Sequence, residues 1–141
     1  MVSSTEAAPG QFKKTDSQNA ADSKALISCS ANALLEKKAK DIVLLDVRGL
    51  TTLTDYFLIC HGTSETHIKA LANHVLDQVR EKLGEKAWKQ EGLDTRRWVI
   101  LDYVNIVLHI FNEDKRSYYG IERMWNDAEK TVITNTYSEN E

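Results

Sequence analysis

Residues 97–125 read RWVILDYVNIVLHIFNEDKRSYYGIERMW, and no other stretch of the 141-residue chain restricts the fold as tightly. Two runs rich in β-branched and aromatic residues, 98–103 and 106–111, flank Val104-Asn105, so the segment reads as a β-hairpin. A two-residue loop pairs Tyr103 with Ile106, Asp102 with Val107, Leu101 with Leu108, Ile100 with His109, Val99 with Ile110 and Trp98 with Phe111. Side chains alternate between faces along a strand. One face therefore carries Val99, Leu101, Tyr103, Ile106, Leu108 and Ile110, and that face is a core. The other carries Trp98, Ile100, Asp102, Val107, His109 and Phe111. An apolar face with isolated ionisable groups is either covered by a helix or made to meet a partner. A loop of odd length would shift one strand and scramble this division.

The remaining elements follow from periodicity. Apolar residues at 26, 27, 29, 33 and 34 predict an amphipathic helix over residues 25–38, capped by Asp22 or Ser23. Residues 42–47 (IVLLDV) predict a buried strand, residues 48–55 a threonine-rich connection, and residues 56–61 a second strand ended by Gly62. Ile68, Leu71, Ala72, Val75, Leu76, Val79 and Leu83 predict a helix capped by Thr63 or Ser64 and stopped by Gly84. A short strand is expected around residues 86–90. After the hairpin, Tyr118, Ile121 and Trp125 fall at helical spacing behind a cap at Asn112, and Gly120 should weaken that helix by ~1 kcal/mol. The order is α-β-β-α-β-β-β-α: a single α/β (α+β) domain, with a mixed sheet and helices packed against it.

With 42% apolar residues the chain has enough material for one core. Residues 1–22 lack apolar periodicity and read as a disordered arm, residues 23–128 as the domain, and residues 129–141 as a flexible acidic tail. Net charge is −3, of which the arm carries −1 and residues 126–141 carry −3. Residues 23–125 hold fifteen basic and fourteen acidic groups, so they lack the concentrated basic face of a dedicated nucleic-acid site. No run approaches the ~20 apolar residues of a membrane helix. The start carries no charged-then-apolar secretion signal, and a soluble cytoplasmic protein is expected.

Sites for chemistry are sparse. The four histidines form no His-Glu-x-x-His pattern and no Cys-x-x-Cys is present, so no metal is expected. Cys60 and His61 are adjacent on a strand and point to opposite faces, which excludes a nucleophile–base pair. Cys29 and Cys60 read as buried free thiols. The turn Gly62-Thr63-Ser64, between a strand and a helix, has backbone N–H groups that could hold a phosphate. The magnesium-binding carboxylate pair that nucleotidyl transfer needs does not follow it. The phosphate cradle is therefore half a site, and a helix cap that requires small residues is the preferred account of the turn.

The chain resembles the ribosomal silencing factor family (RsfS, also called Iojap). The likeness lies in DIVLLDVRGLTTLTDYFLICHGTSETHIKALANHV over residues 41–75, Glu91-Gly92, RWVILDY over 97–103, VLHIF over 107–111 and RSYYGIERMW over 116–125. The family often has Gly-Asp where this chain has Val104-Asn105, and a bulkier or acidic residue where it has Gly120. The resemblance implies a nucleotidyltransferase-like topology without the metal-binding carboxylates. It implies no enzymatic activity and no cofactor. Its implied partner is the large ribosomal subunit, bound through ribosomal protein fourteen so that joining with the small subunit is blocked and translation repressed. A large-subunit assembly role on the same face, or a nucleotide-binding transferase using the Gly62–Ser64 turn, is the alternative.

On that reading Trp98, His109 and Phe111 are expected as apolar anchors, and Asp102, Arg116 and Glu122 as charged contacts to a basic partner. Tyr103, Tyr118, Ile121 and Trp125 are expected to hold hairpin and helix together, whereas Tyr119 could face outward as a further contact. An exposed apolar face also lets the free protein pair with itself as a homodimer.

Overall fold

The computed structural model describes residues 16–135. Ten elements follow one another: α1 (Asp16–Glu36), β1 (Lys40–Asp46), β2 (Tyr56–Gly62), α2 (Glu65–Leu83), β3 (Lys89–Glu91), β4 (Trp98–Asp102), β5 (Ile106–Asn112), α3 (Glu113–Tyr119), α4 (Ile121–Met124) and β6 (Glu129–Ile133). The strands form one sheet in the order β3-β4-β5-β2-β1-β6. Only the central β2–β5 pair is parallel, which makes the sheet mixed.

The hairpin has the expected register, from Trp98 opposite Phe111 to Asp102 opposite Val107. Its turn holds a β-branched residue in the left-handed region, with Val104 at φ 76°. Side-chain chemistry holds it there. The Asp102 carboxylate accepts from the Val104 N–H at 2.8 Å, and the Tyr103 N–H reaches the Ile106 carbonyl at 2.9 Å. The Asn105 carbonyl then accepts from the Asp55 and Tyr56 N–H groups, tying the turn to the start of β2.

One face of the sheet is the main core. Val99, Leu101, Tyr103, Ile106, Leu108 and Ile110 of the hairpin meet Leu26, Ile27 and Leu34 of α1 and Ile68, Leu71, Val75 and Val79 of α2. The four α2 side chains are fully buried, each contributing roughly 1.5–3 kcal/mol of transfer free energy. Ser64 caps α2 by accepting from the His67 N–H at 3.0 Å, and Gly84 ends it at φ 68°, as its sequence requires. Two histidines fasten α2 to α1. His67 accepts the Thr63 N–H at Nδ1 (2.9 Å) and so donates from Nε2 to the Lys37 carbonyl (2.7 Å), while His74 Nε2 meets Glu36 at 2.6 Å.

Three expectations are corrected. Helix α1 begins at Asp16 and not near residue 25, so neither Asp22 nor Ser23 caps it; Ser23 is buried inside the helix. The remainder of the expected arm, residues 1–15, lies outside the described residues. The expected tail begins with a strand: β6 pairs antiparallel with β1, from Ile42 opposite Ile133 to Asp46 opposite Glu129, and residues 136–141 lie outside the described residues. The helix after the hairpin is two short helices, broken where Gly120 takes φ 62°.

Candidate docking face

The second sheet face is built in cross-strand rows. Ile100, His109, Ile59, Val43 and Val132 lie side by side across five strands, and Trp98, Phe111 and His61 form the neighbouring row. The rings interlock. Trp98 stacks on Phe111 at 5.1 Å and 24°, and Tyr119 closes on its indole at 4.3 Å. Phe57 stands edge-on to His109 at 5.2 Å and 72°, with Trp125 at 5.5 Å beyond it. Ile121, Trp125 and Ala128 cover this second cluster.

That cover decides what the face offers. Phe111 has no exposed surface and His109 only 6%, so the expectation that these two side chains touch a partner is corrected: they are the floor under Trp98. Trp98 is half-buried and Tyr119 is 41% exposed. Tyr118, expected inside, is 74% exposed, because the break at Gly120 ends the helical phase on which it was placed. Asp102 is half-exposed while it pins the hairpin turn. Around the hairpin the surface is therefore led by Trp98 and Tyr119, with Ile100, Asp102 and Val107 half-buried along β4 and β5.

Arg116 and Glu122 are also reassigned. The guanidinium forms a two-pronged pair with the Glu122 carboxylate, 2.9 and 3.1 Å. It also donates to the Asp41 carbonyl at 2.7 Å and to His61 Nδ1 at 3.0 Å. Its side chain is 11% exposed. Arg116 holds the Glu122 carboxyl below its usual range. Burial, then the nearby Arg116 charge, holds the His61 imidazole below its ordinary value. These groups bracket α3 and α4 onto β1 and β2, and the short bonds that Arg116 makes all lie inside the protein. Asn112 caps α3 as expected, accepting from the Asp114 N–H at 2.9 Å.

His109 is held neutral. Its Nδ1 accepts the Trp98 indole N–H at 3.0 Å, and burial alone lowers its pKa from 6.5 to about 4. The unfolded chain binds a proton near pH 6.5 and the folded one near 4, so the unfolded state holds more protons in that window. Stability from this group is complete above pH 6.5 and falls as pH drops towards 4, by roughly 3 kcal/mol in full. Urea unfolding at pH 7 and pH 4.5 should show a larger loss for the native chain than for His109→Asn. Equal losses would contradict a neutral buried imidazole.

Sequence reasoning missed Gly92. It sits at φ +85°, and a Cβ there would lie 2.0 Å from the Trp98 carbonyl oxygen. The clash is with backbone, which cannot swing away. Gly92→Ala should cost more than about 1 kcal/mol, read as a lowered urea midpoint. Its signal was the Glu91-Gly92 pair already noted in the resemblance. The Gly62-Thr63-Ser64 turn, in contrast, resolves as a cap, with the Thr63 N–H taken by His67 and a Cβ on Gly62 meeting Ile68 at 2.9 Å. Cys60 is buried, with its thiol pushed up to about 12 by burial.

Comparison with known proteins agrees with this architecture. The family described as "Ribosomal silencing factor during starvation" matches residues 20–141. The chain is 43% identical over 105 residues to ribosomal silencing factor RsfS of Bacillus subtilis, covering 74% of this chain and 88% of that protein. It is 28% identical over 101 residues to the Mus musculus "Mitochondrial assembly of ribosomal large subunit protein 1", covering 70% of this chain and 44% of that one. A crystal structure of a Chromobacterium violaceum protein superposes with a TM-score of 0.71 at 29% identity, covering 84% of this chain and 98% of that one.

Proposed function

The chain belongs to the ribosomal silencing factor family, and from that premise we propose that it represses translation without catalysing a reaction. It binds the large ribosomal subunit in the cytoplasm through ribosomal protein fourteen and sterically blocks joining with the small subunit. The observation that carries this reading is the rigid aromatic surface of Trp98 and Tyr119, backed by Phe111 and His109 and flanked by Asp102. Rigid, half-exposed Trp and Tyr suit a protein interface because they contribute large contact area at little conformational cost. Asp102 suits a basic partner. At the Gly62-Thr63-Ser64 turn the Thr63 N–H is taken by His67 Nδ1 and the Ser64 hydroxyl caps α2, which favours a binding role over nucleotide chemistry.

Trp98→Ala should weaken co-sedimentation with purified large subunits by about thirtyfold, the effect of ~2 kcal/mol at a desolvated anchor, and should restore subunit joining in its presence. Normal co-sedimentation by a folded Trp98→Ala protein would sink this reading. The mouse relative's name, which speaks of large-subunit assembly, supports a second role on the same subunit. Precursor-particle profiles would distinguish it, since an assembly factor accumulates with immature particles.

A further inference from the structure

The second face raises a question of design: why a residue with two polar ring atoms lies beneath the indole when an aliphatic side chain would fill the same space. His109 is buried among Phe57, Trp98 and Phe111, with ring centroids 5.2, 5.9 and 6.1 Å away. Its Nε2 is buried and has no hydrogen-bond partner, an arrangement that normally costs stability. The other ring nitrogen explains why the cost is accepted. Nδ1 accepts the Trp98 Nε1–H at 3.0 Å, which fixes the neutral tautomer with its proton on Nε2. A protonated Nδ1 would face the indole donor with a second donor. Trp98 is thereby constrained on three sides: by Phe111 below, by Tyr119 at 4.3 Å, and by His109 at its only polar atom. The stacks restrict the plane of the ring but would accept the indole turned end for end. The hydrogen bond selects one of those two orientations.

We propose that His109 is a positioning residue which, without touching the partner, locks the Trp98 indole in its docking orientation before the ribosomal partner arrives. The proposal rests on the reading that Trp98 docks. Its effect is preorganisation: a large side chain ordered in the free protein does not have to be ordered during association. Asp102 and the Arg116–Glu122 pair lie outside this device. The former acts on the turn and the latter on α3, α4 and β1.

Two variants and one spectroscopic reading test it. In the native full chain, the imidazole nitrogen shifts of His109 should report an unprotonated Nδ1 at neutral pH, and the Trp98 indole N–H, assigned with Trp98→Phe, should exchange slowly with solvent. His109→Leu fills the space but removes the acceptor. Its indole signal should shift and exchange faster, and binding to purified large subunits should weaken roughly fivefold. His109→Asn places an amide oxygen near the position of Nδ1 and should restore both readouts. The opposite tautomer in the native protein, or an indole signal unchanged in His109→Leu, would overturn the proposal whether or not Trp98 docks. A displaced indole with unchanged affinity would overturn it too. Unchanged affinity in Trp98→Ala would instead remove the docking reading beneath it. Should His109→Leu fail to fold, the native tautomer and the Asn variant still decide: failure of His109→Asn to hold the indole counts against the proposal.

Discussion

Phe111→Ala is expected to lower the unfolding free energy by roughly 3–5 kcal/mol, the usual cost of emptying a large buried aromatic site. Phe111 has no exposed surface, stacks under Trp98, and lies on β5 between Trp98 on β4 and His61 on β2. Its removal opens a void at the junction of three strands, where backbone pairing prevents collapse. A domain of this size has only about 5–15 kcal/mol in total, so the variant should unfold at a much lower urea concentration. On the proposed docking reading it would also weaken ribosome binding, through collapse of the support for Trp98 and not through a lost contact. Phe111→Leu, which retains most of the volume, separates the two and should keep most of the stability. A change below about 1 kcal/mol for Phe111→Ala would show that the second cluster is not a true core.

Arg116→Met should cost about 3 kcal/mol, and the reason is electrostatic rather than volumetric. The substitution retains most of the stem packing but leaves the Glu122 carboxylate, the Asp41 carbonyl and His61 Nδ1 without their common donor. Stranding one partner of a largely buried pair costs far more than exchanging both for neutral groups. The double variant Arg116→Met/Glu122→Gln should therefore recover part of the loss, giving a coupling energy that a double-mutant cycle reads directly. Additive effects would mean that the two groups are ordinary surface charges. As Glu122 has its carboxyl lowered chiefly by Arg116, the pair contributes above the ordinary carboxylate range. Its contribution is lost as pH falls through the depressed value.

The hairpin was legible because a two-residue period leaves no freedom: once Val104-Asn105 makes the turn, every pairing from Trp98 to Phe111 is fixed. What covers a face is not encoded in that period. His109 and Phe111 were expected at the surface because the cover consists of two short helices whose phase is broken at Gly120. The same break hides the Arg116–Glu122 pair. Residues six apart do not meet on a continuous helix, where neighbours are three or four apart, and they meet here because the left-handed Gly120 turns α4 back on α3. Strand β6 escaped notice because it is short, charged and at the edge, with every residue before Ile133 exposed. A protected edge strand has that composition, and so does a polar tail. The Ser64 and Gly84 caps and the α2 core positions were legible because their causes are local.

The pairing of β1 with β6 has a temporal consequence. Ile42 finds its neighbour at Ile133, close to the other end of the domain, and the β2–β5 seam likewise joins Tyr56 to Ile106. Chains are synthesised from the amino end at roughly 5–20 residues per second. Residues 42–46 therefore leave the ribosome seconds before the strand that will cover their outer edge. The β4–β5 turn can close within microseconds of its emergence, but the sheet gains both edges only when the last described strand arrives. For those seconds the outer N–H and C=O groups of β1 lack their β6 partners, and an unpaired edge of that kind is a template for pairing with another chain.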